Sequence, residues 1–363
     1  MEIFVVTAPG LEAHLADEAR EAGFAVAGTI PGGVTLTGDW PEVWRANLTL
    51  RGAVRVLARV ASFRAMHLAQ LDKRAKKLLW SDWLRPDRPV RVEATCRKSR
   101  IYHDRAAAQR LEDALGDAGL TLSPDAAIVV RLRIEDDLAT ISLDTSGPSL
   151  HKRGLKEQVN KAPMRETLAA LFLRACGYAG GEPVYDPMCG SGTFVIEAAE
   201  IARGLLPGRA RPFAFEDLAA FDAEAFAAMK DAAPLETDLV FHGSDRDQGA
   251  VAMARANADR AGIGDRCRFE MKPIGDIVPP EGPPGLVIVN PPYGGRIGAA
   301  GPLCGLYATL GARLKDGFPG WRAGLVTSEP KLAHATGLPF GPPGPFVDHG
   351  GIKIRLWQTA ALT

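Results

Sequence analysis

The alternation of apolar and polar positions divides the chain into two styles of folding. Residues 2–7 (EIFVVT) read as a strand, and Leu11, Leu15 and Ala19 fall at helical spacing over Leu11–Ala22. A Gly-rich turn follows, then a strand at Gly33–Leu36 and a helix near Trp40–Leu48. Over Arg51–Ala61 the apolar residues Val54, Val56 and Ala58 interleave with Arg, a half-buried strand pattern. Gln70–Leu79 looks helical, Pro89–Cys96 reads as a strand and Asp104–Gly116 as a helix. Ile128–Ile134 and Ala139–Leu143 form a hairpin about Asp136-Asp137. Asp144–Lys161 is polar, turn-rich and basic, and reads as a linker.

Beyond Pro163 the style changes. A helix over Met164–Cys176 is followed by alternating strands and helices: Pro183–Tyr185, Gly192–Arg203, Leu239–Gly243, Gln248–Ala261, Cys267–Glu270, Leu286–Val289, Tyr307–Leu314 and Arg322–Val326. Such alternation predicts an α/β domain, a mostly parallel sheet with helices on both faces. Ile352–Gln358 reads as a final antiparallel strand. Gly204–Thr237 interrupts the pattern, and its Phe213, Phe215, Phe221 and Phe226 read as core or docking residues rather than a base-stacking platform.

Composition adds limits. With 363 residues, 46% hydrophobic and 24% charged, two or three globular domains are expected. Forty-three Lys+Arg balance 43 Asp+Glu, which excludes a uniformly basic coat protein. The balance hides a local surplus: Arg51–Arg105 holds 15 Lys/Arg against 5 Asp/Glu. Arg97, Lys98 and Arg100 cluster in a turn beside Tyr102 and His103, the arrangement that phosphate contact needs. The five Cys are scattered with no CxxC pair, and no His/Asp/Glu cluster has metal-ligand spacing, so no metal is expected. Sparse Cys, no signal-peptide pattern and no long apolar run predict a cytoplasmic protein without membrane spans.

Three stretches carry chemistry. The first is Asp186-Pro187-Met188-Cys189-Gly190-Ser191-Gly192-Thr193, where a strand ends in an acid and a Gly-x-Gly loop turns into a helix. The glycines let a ligand approach the backbone, so a Cβ at Gly190 or Gly192 is expected to fill ligand space. The Lys of a phosphate-binding P-loop is absent, and Val195 stands where a dinucleotide fingerprint needs Gly or Ala. An S-adenosylmethionine (SAM) loop is the remaining candidate. The second stretch, Leu239–Asp247, is a strand ending in acids. Asp245 is the expected acceptor for a ribose diol, with Arg246 beside it and Asp247 as the alternate or a helix cap. The third is Asn290-Pro291-Pro292-Tyr293, directly after the apolar strand Leu286–Val289. Pro-Pro fixes a corner at the carboxyl end of a strand. The Asn290 amide oxygen and the Pro291 carbonyl can accept from an NH2 group, and Tyr293 offers a flat face to a planar substrate. This suits alkylation of an exocyclic or amide nitrogen.

At these residues the chain resembles class I SAM-dependent methyltransferases acting on amino nitrogens. DPMCGSGT, the helix Ala162–Cys176 and the phrase DTSGPSLHKRG resemble the THUMP-domain RNA guanine-N2 methyltransferases in particular, and the likeness covers nearly the whole chain. It implies a ferredoxin-like domain over 1–62, with Pro9-Gly10-Leu11-Glu12 in place. It further implies a THUMP RNA-binding domain over 63–150, including VRVEATCRKSRIYH, and a Rossmann-like methyltransferase domain with a seven-stranded sheet over 151–363. The cofactor implied is SAM and the partner structured RNA, 23S rRNA before tRNA. Arg97, Lys98, Arg100, Lys152 and Arg153 are the expected RNA contacts. Pro273 occupies the place of the acid that usually binds the SAM adenine, so Asp276, three residues later, or a backbone group takes that role.

Overall fold

The computed structural model describes residues 1–156, 164–293 and 300–363, with the backbone alone for 300–302. Its elements run β1 (Glu2–Val6), α1 (Glu12–Glu21), β2 (Ala25–Ile30), β3 (Gly33–Thr37), α2 (Trp40–Thr49), β4 (Arg55–Arg64), α3 (Leu68–Ala75), β5 (Val90–Arg97), α4 (Asp104–Asp117), β6 (Ile128–Glu135) and β7 (Leu138–Asp144). Then follow α5 (Glu166–Ala175), β8 (Val184–Asp186), α6 (Thr193–Ala202), α7 (Ala223–Lys230), β9 (Phe241–Asp245), α8 (Gln248–Arg260), β10 (Cys267–Met271), β11 (Leu286–Val289), α9 (Ala300–Gly317), β12 (Arg322–Thr327), α10 (Pro330–Ala335), β13 (Val347–His349) and β14 (Ile352–Gln358).

These elements form two compact units. The first comprises Met1–Thr7, Ala16–Leu150 and Arg211–Asp231; the second comprises Ala8–Leu15, His151–Ala210 and Ala232–Thr363.

The first unit is built on one seven-stranded sheet, β2-β3-β1-β4-β7-β6-β5. Strand β4 pairs antiparallel with β1 on one side and β7 on the other, so the boundary expected at 62 falls within a shared strand. Helix α4 buries Ala107, Leu111, Ala114 and Leu115, the single stripe its apolar spacing demands. Strand β2 was absent from the sequence reading because it is an edge strand with exposed positions and no alternation to detect.

The phrase DTSG behaves as core rather than linker. Thr145 and Ser146 are wholly buried. Asn47 donates from Nδ2 to Thr145 Oγ1 at 2.9 Å, Ser146 Oγ donates to Asn47 Oδ1 at 2.6 Å, and Thr145 Oγ1 donates to the Val56 carbonyl at 2.7 Å. Buried Asp144 pairs with Arg55 and Arg131. These bonds satisfy groups that burial would otherwise penalise. The 157–161 part of the expected linker lies outside the described residues.

The aromatic insert packs as core. Phe213 stacks on Phe215 at 5.0 Å, and Phe215 meets Phe226 edge-on at 4.9 Å and Trp44 at 6.3 Å. Arg211 donates to the carbonyls of Ser146, Pro148 and Ser149. Arg211–Asp231 therefore belongs to the first unit, although the expected domain range 151–363 contains it.

The second unit holds a sheet in the order β10-β9-β8-β11-β12-β14-β13. Strands β10, β9, β8, β11 and β12 are parallel, and β14 pairs antiparallel with β12 and β13. All four residues of β11 are buried, as a central parallel strand covered on both faces requires. The strand order reverses between β8 and β11, and at such a switch point the carboxyl ends of the strands open a crevice.

Candidate active site

Three strands deliver the predicted stretches to that crevice. Strand β8 ends in Asp186, β9 in Asp245, and β11 runs into Asn290. The loop after β8 turns on two glycines in the left-handed region, Gly190 at φ +52° and Gly192 at φ +85°. Gly192 caps helix α6, whose first residue is Thr193.

The two glycines do different work. A Cβ built on Gly190 meets nothing within 4 Å, so the backbone there faces open space. A Cβ on Gly192 meets Ala254 at 3.1 Å, Phe269 at 3.2 Å and Ile196 at 3.3 Å. Of the two glycines expected to face a ligand, only Gly190 has open space at its Cβ position; Gly192 is small because the loop packs on α8 and β10.

Backbone contacts hold the loop rigid. Cys189 N donates to the Ser244 carbonyl at 2.9 Å, and Asn257 Nδ2 donates to the Ser191 carbonyl at 3.0 Å. Gly190 N donates to Asp245 Oδ2 at 3.0 Å, while Asp247 N donates to Asp245 Oδ1 at 3.0 Å. Each Asp245 oxygen thus keeps a lone pair for a diol. Asp247 takes its helix-cap role, accepting from Gly249 N at 2.8 Å.

Asp186 is buried and accepts from Met188 N at 3.0 Å. Burial pushes its carboxyl up to about 8 against the pull of that hydrogen bond, and Asp245 adds to the rise. Among the described residues neither Asp186 nor Asp245 has an ion-pair partner, so a cationic ligand would find two acids here that no protein cation neutralises. Cys189 is buried, its thiol held well above its ordinary value by burial and by Asp186 and Asp245, which makes it inert. Pro187 is buried and Met188 half-buried in the same loop.

At the corner, both prolines are trans. Asn290 Oδ1 is buried and without a hydrogen-bond partner among the described residues. Tyr307, on α9, donates its hydroxyl to the Pro292 carbonyl at 3.3 Å and holds the corner from behind. The Tyr293 hydroxyl lies 3.3 Å from His349 Nδ1, and burial pushes this phenol up to about 12. It stays protonated at neutral pH.

Other predicted residues are more dispersed. Arg246 is exposed beside Asp245. Asp276 is exposed in a short turn (Ile274–Asp276) after β10, and Pro273 opens that turn. Arg97, Lys98 and Arg100 are exposed on the first unit and Lys152 on the second. Arg153 corrects the sequence reading: it is buried, 3.3 Å from buried Glu197 on α6, and out of reach of RNA. A guanidinium so placed is retained by its carboxylate partner. Sequence reasoning missed Asn257, His349, Tyr307 and Gly243. Gly243 left a signal, a glycine within a strand; a Cβ there meets the Phe269 ring at 2.7 Å and Cys189 Cβ at 3.1 Å.

Comparison with known proteins gives a consistent assignment. Residues 153–338 match the model of the RMKL-like methyltransferase domain, residues 2–57 that of the RlmL ferredoxin-like domain, and residues 65–144 that of the THUMP domain. The chain belongs to the RMKL-like methyltransferase family. The matched residues include the glycine loop and strands β8 to β12 of the second unit's sheet. Within the family it is 38% identical to "Ribosomal RNA large subunit methyltransferase K/L" of Syntrophotalea carbinolica, over 92% of this chain and 50% of that protein. It is 32% identical to "Putative RNA methyltransferase slr0064" of Synechocystis, over 97% of this chain and 95% of that one. The chain spans about half the length of the K/L relatives it matches. A solved structure, "SMU.472, a putative methyltransferase complexed with SAH", is 26% identical with a TM-score of 0.90, covering 100% of this chain and 98% of that one. No helix among the described residues is long and apolar enough to cross a membrane.

Proposed function

We propose that this RMKL-like methyltransferase transfers a methyl group from SAM to the exocyclic N2 of a guanine in structured RNA, with 23S rRNA as the substrate. The observation that carries the reading is Asn290 Oδ1, a buried acceptor with no partner among the described residues, at the carboxyl end of β11, the strand paired with the β8 strand that leads into the glycine loop. Such an atom costs free energy unless a ligand satisfies it.

Residues of the second unit fit the cofactor. The open backbone at Gly190 accommodates its methionine portion, the spare lone pairs of Asp245 accept from the ribose hydroxyls, and Asp186 balances positive charge. Asp276 or the backbone near Pro273 meets the adenine. Bound SAM supplies an electrophilic methyl group on a sulfonium. The rest of the work falls to the corner. Asn290 Oδ1 and the Pro291 carbonyl accept the two N–H bonds of the amino group, which orients its lone pair and stabilises the charge that develops on nitrogen. The leaving proton passes to water. Tyr293 stacks on the flipped base through its ring. Its hydroxyl, engaged by His349 and protonated at neutral pH, takes no part in proton transfer. Exposed Arg97, Lys98, Arg100 and Lys152 contact phosphates, which sets affinity without reading sequence.

Mass-spectrometric mapping of N2-methylguanosine in rRNA and tRNA from a deletion strain tests this. A single guanine of 23S rRNA losing its methyl group supports the reading. An unchanged rRNA map with a loss in tRNA, in DNA adenine or in a protein glutamine refutes it.

A further inference from the structure

The turn between β5 and α4 is tied down at both ends. Lys98 adopts φ +46°, a conformation that non-glycine residues rarely hold. Ser99 Oγ donates to the Arg97 carbonyl at 2.6 Å and accepts from Asp137 N at 3.1 Å, and Arg100 N donates to Asp137 Oδ1 at 2.8 Å. Ile101 is buried. On the far side Cys96 N donates to Asp104 Oδ1 at 2.7 Å, and His103 Nδ1 caps α4 by accepting from Ala106 N at 3.4 Å.

Between the buried Ile101 and the capping His103 stands Tyr102, 82% exposed, the most exposed large apolar side chain among the described residues. Among those residues it has neither a ring contact nor a hydrogen-bond partner. A lone exposed apolar side chain is common on protein surfaces. What sets this one apart is that the backbone on both sides is fixed while the ring is exposed, and that cations flank it along the chain. Arg97, Lys98, Arg100 and Arg105 are all exposed in the same stretch. The neighbouring acids are largely occupied: Asp104 and Asp137 accept the backbone bonds above, and Glu135 is paired with Arg133 at 2.6 Å. Asp136 alone of the four makes no such bond through its carboxylate.

We propose that Tyr102 is a stacking platform for an unpaired base of the RNA substrate, with Arg97, Lys98, Arg100 and Arg105 taking the phosphates on either side. The inference rests on the RNA reading above. A fixed turn loses little conformational freedom when it binds, so the contact is preorganised. The base must be unpaired, because the faces of bases within an A-form helix are already stacked and out of reach of a side chain. Tyr102 makes no charge contact, so its contribution is independent of salt, whereas that of the flanking cations is not.

The test measures binding of the full chain, by fluorescence anisotropy, to a hairpin RNA with an unpaired loop and to a fully paired duplex of equal length, from about 50 to 300 mM salt. Tyr102→Ala is expected to weaken hairpin binding by about 5- to 150-fold. Duplex binding and the slope of log affinity against log salt should stay unchanged. Tyr102→Phe and Tyr102→Trp should bind the hairpin like wild type. The triple variant Arg97→Ala, Lys98→Ala, Arg100→Ala should instead flatten the salt slope on both RNAs. Tyr102→Ala binding the hairpin as tightly as wild type, or losing equally on the duplex, overturns the stacking role while leaving the RNA reading intact. Wild-type protein that binds neither RNA refutes the RNA reading and the stacking role together.

Discussion

Asp186 offers the sharpest consequence of the geometry. It is buried at the end of β8, accepts a hydrogen bond from Met188 N, and feels the charge of another acid, Asp245. Its carboxyl is pushed up to about 8, so at neutral pH the ligand-free protein holds most of this group protonated. A cationic cofactor favours the ionised form, so binding must expel the proton. With a free-state value of about 8 and an ionised group in the complex, affinity should fall roughly 25-fold from about pH 8.5 to 6.5 through this group. Near pH 7 about 0.9 proton should leave per SAM bound. Calorimetric titration in two buffers of different ionisation enthalpy reads that number directly. Asp186→Asn keeps an acceptor for Met188 N but cannot ionise, so both the proton release and the slope due to this group should vanish. The α-amino group of SAM titrates in the same range, about 7.7–8.0, but contributes equally to both proteins, so their difference isolates Asp186. The sign also fixes ligand-free stability. A carboxyl raised in the folded state favours folding below its unfolded value, and that advantage is lost as pH rises from about 4 through about 8. Equal proton release and equal pH slopes in wild type and Asp186→Asn would show that Asp186 does not ionise on cofactor binding.

Arg153→Ala removes an ion-pair partner of the buried Glu197 carboxylate and should destabilise the protein in urea unfolding, by up to about 3–5 kcal/mol, while RNA affinity measured on the folded protein stays unchanged; a variant that melts like wild type but loses RNA binding would restore the surface role. Gly190→Ala should cost about 1–2 kcal/mol for its left-handed backbone and weaken S-adenosylhomocysteine binding, whereas Gly192→Ala should unfold at still lower denaturant because its Cβ meets Ala254, Phe269 and Ile196; equal stability of the two variants would contradict the division of roles. Tyr293→Phe should keep most turnover and an unaltered pH profile, and Tyr293→Ala should lose the stacking contact, about 1–3 kcal/mol in kcat/KM for RNA; a Phe variant as inactive as the Ala variant would put the phenol into the chemistry.

Much of the second unit was legible because its strands are short, apolar and separated by helices, which leaves few topologies for a parallel sheet. The three motifs were legible for the same reason: each sits where such a sheet must open. What sequence could not convey was the direction of a Cβ. Gly190 and Gly192 are two residues apart in one motif, yet one faces open space and the other packed side chains. Charge patterning misled similarly at Arg153, where a basic phrase reads as surface until Glu197, 44 residues on, is brought against it. Asn257 and His349 lie far along the chain from the groups they hold and belong to no motif. The buried polar ties of Thr145 and Ser146 were hidden because a polar, turn-rich stretch reads as a linker, although its hydroxyls satisfy one another and the backbone inside the core.

On the function proposed here, the Asn290–Tyr293 corner aims an RNA amino nitrogen at the methyl group of bound SAM. The most direct test incubates the purified full chain with labelled SAM and unmodified 23S rRNA and digests the product to nucleosides, with Asn290→Ala in parallel. Label is expected in N2-methylguanosine, with a roughly 10²–10³-fold loss of turnover in Asn290→Ala and equal SAM affinity in both proteins. Label in another nucleoside, or an Asn290→Ala variant that methylates guanine at the wild-type rate, would contradict that function.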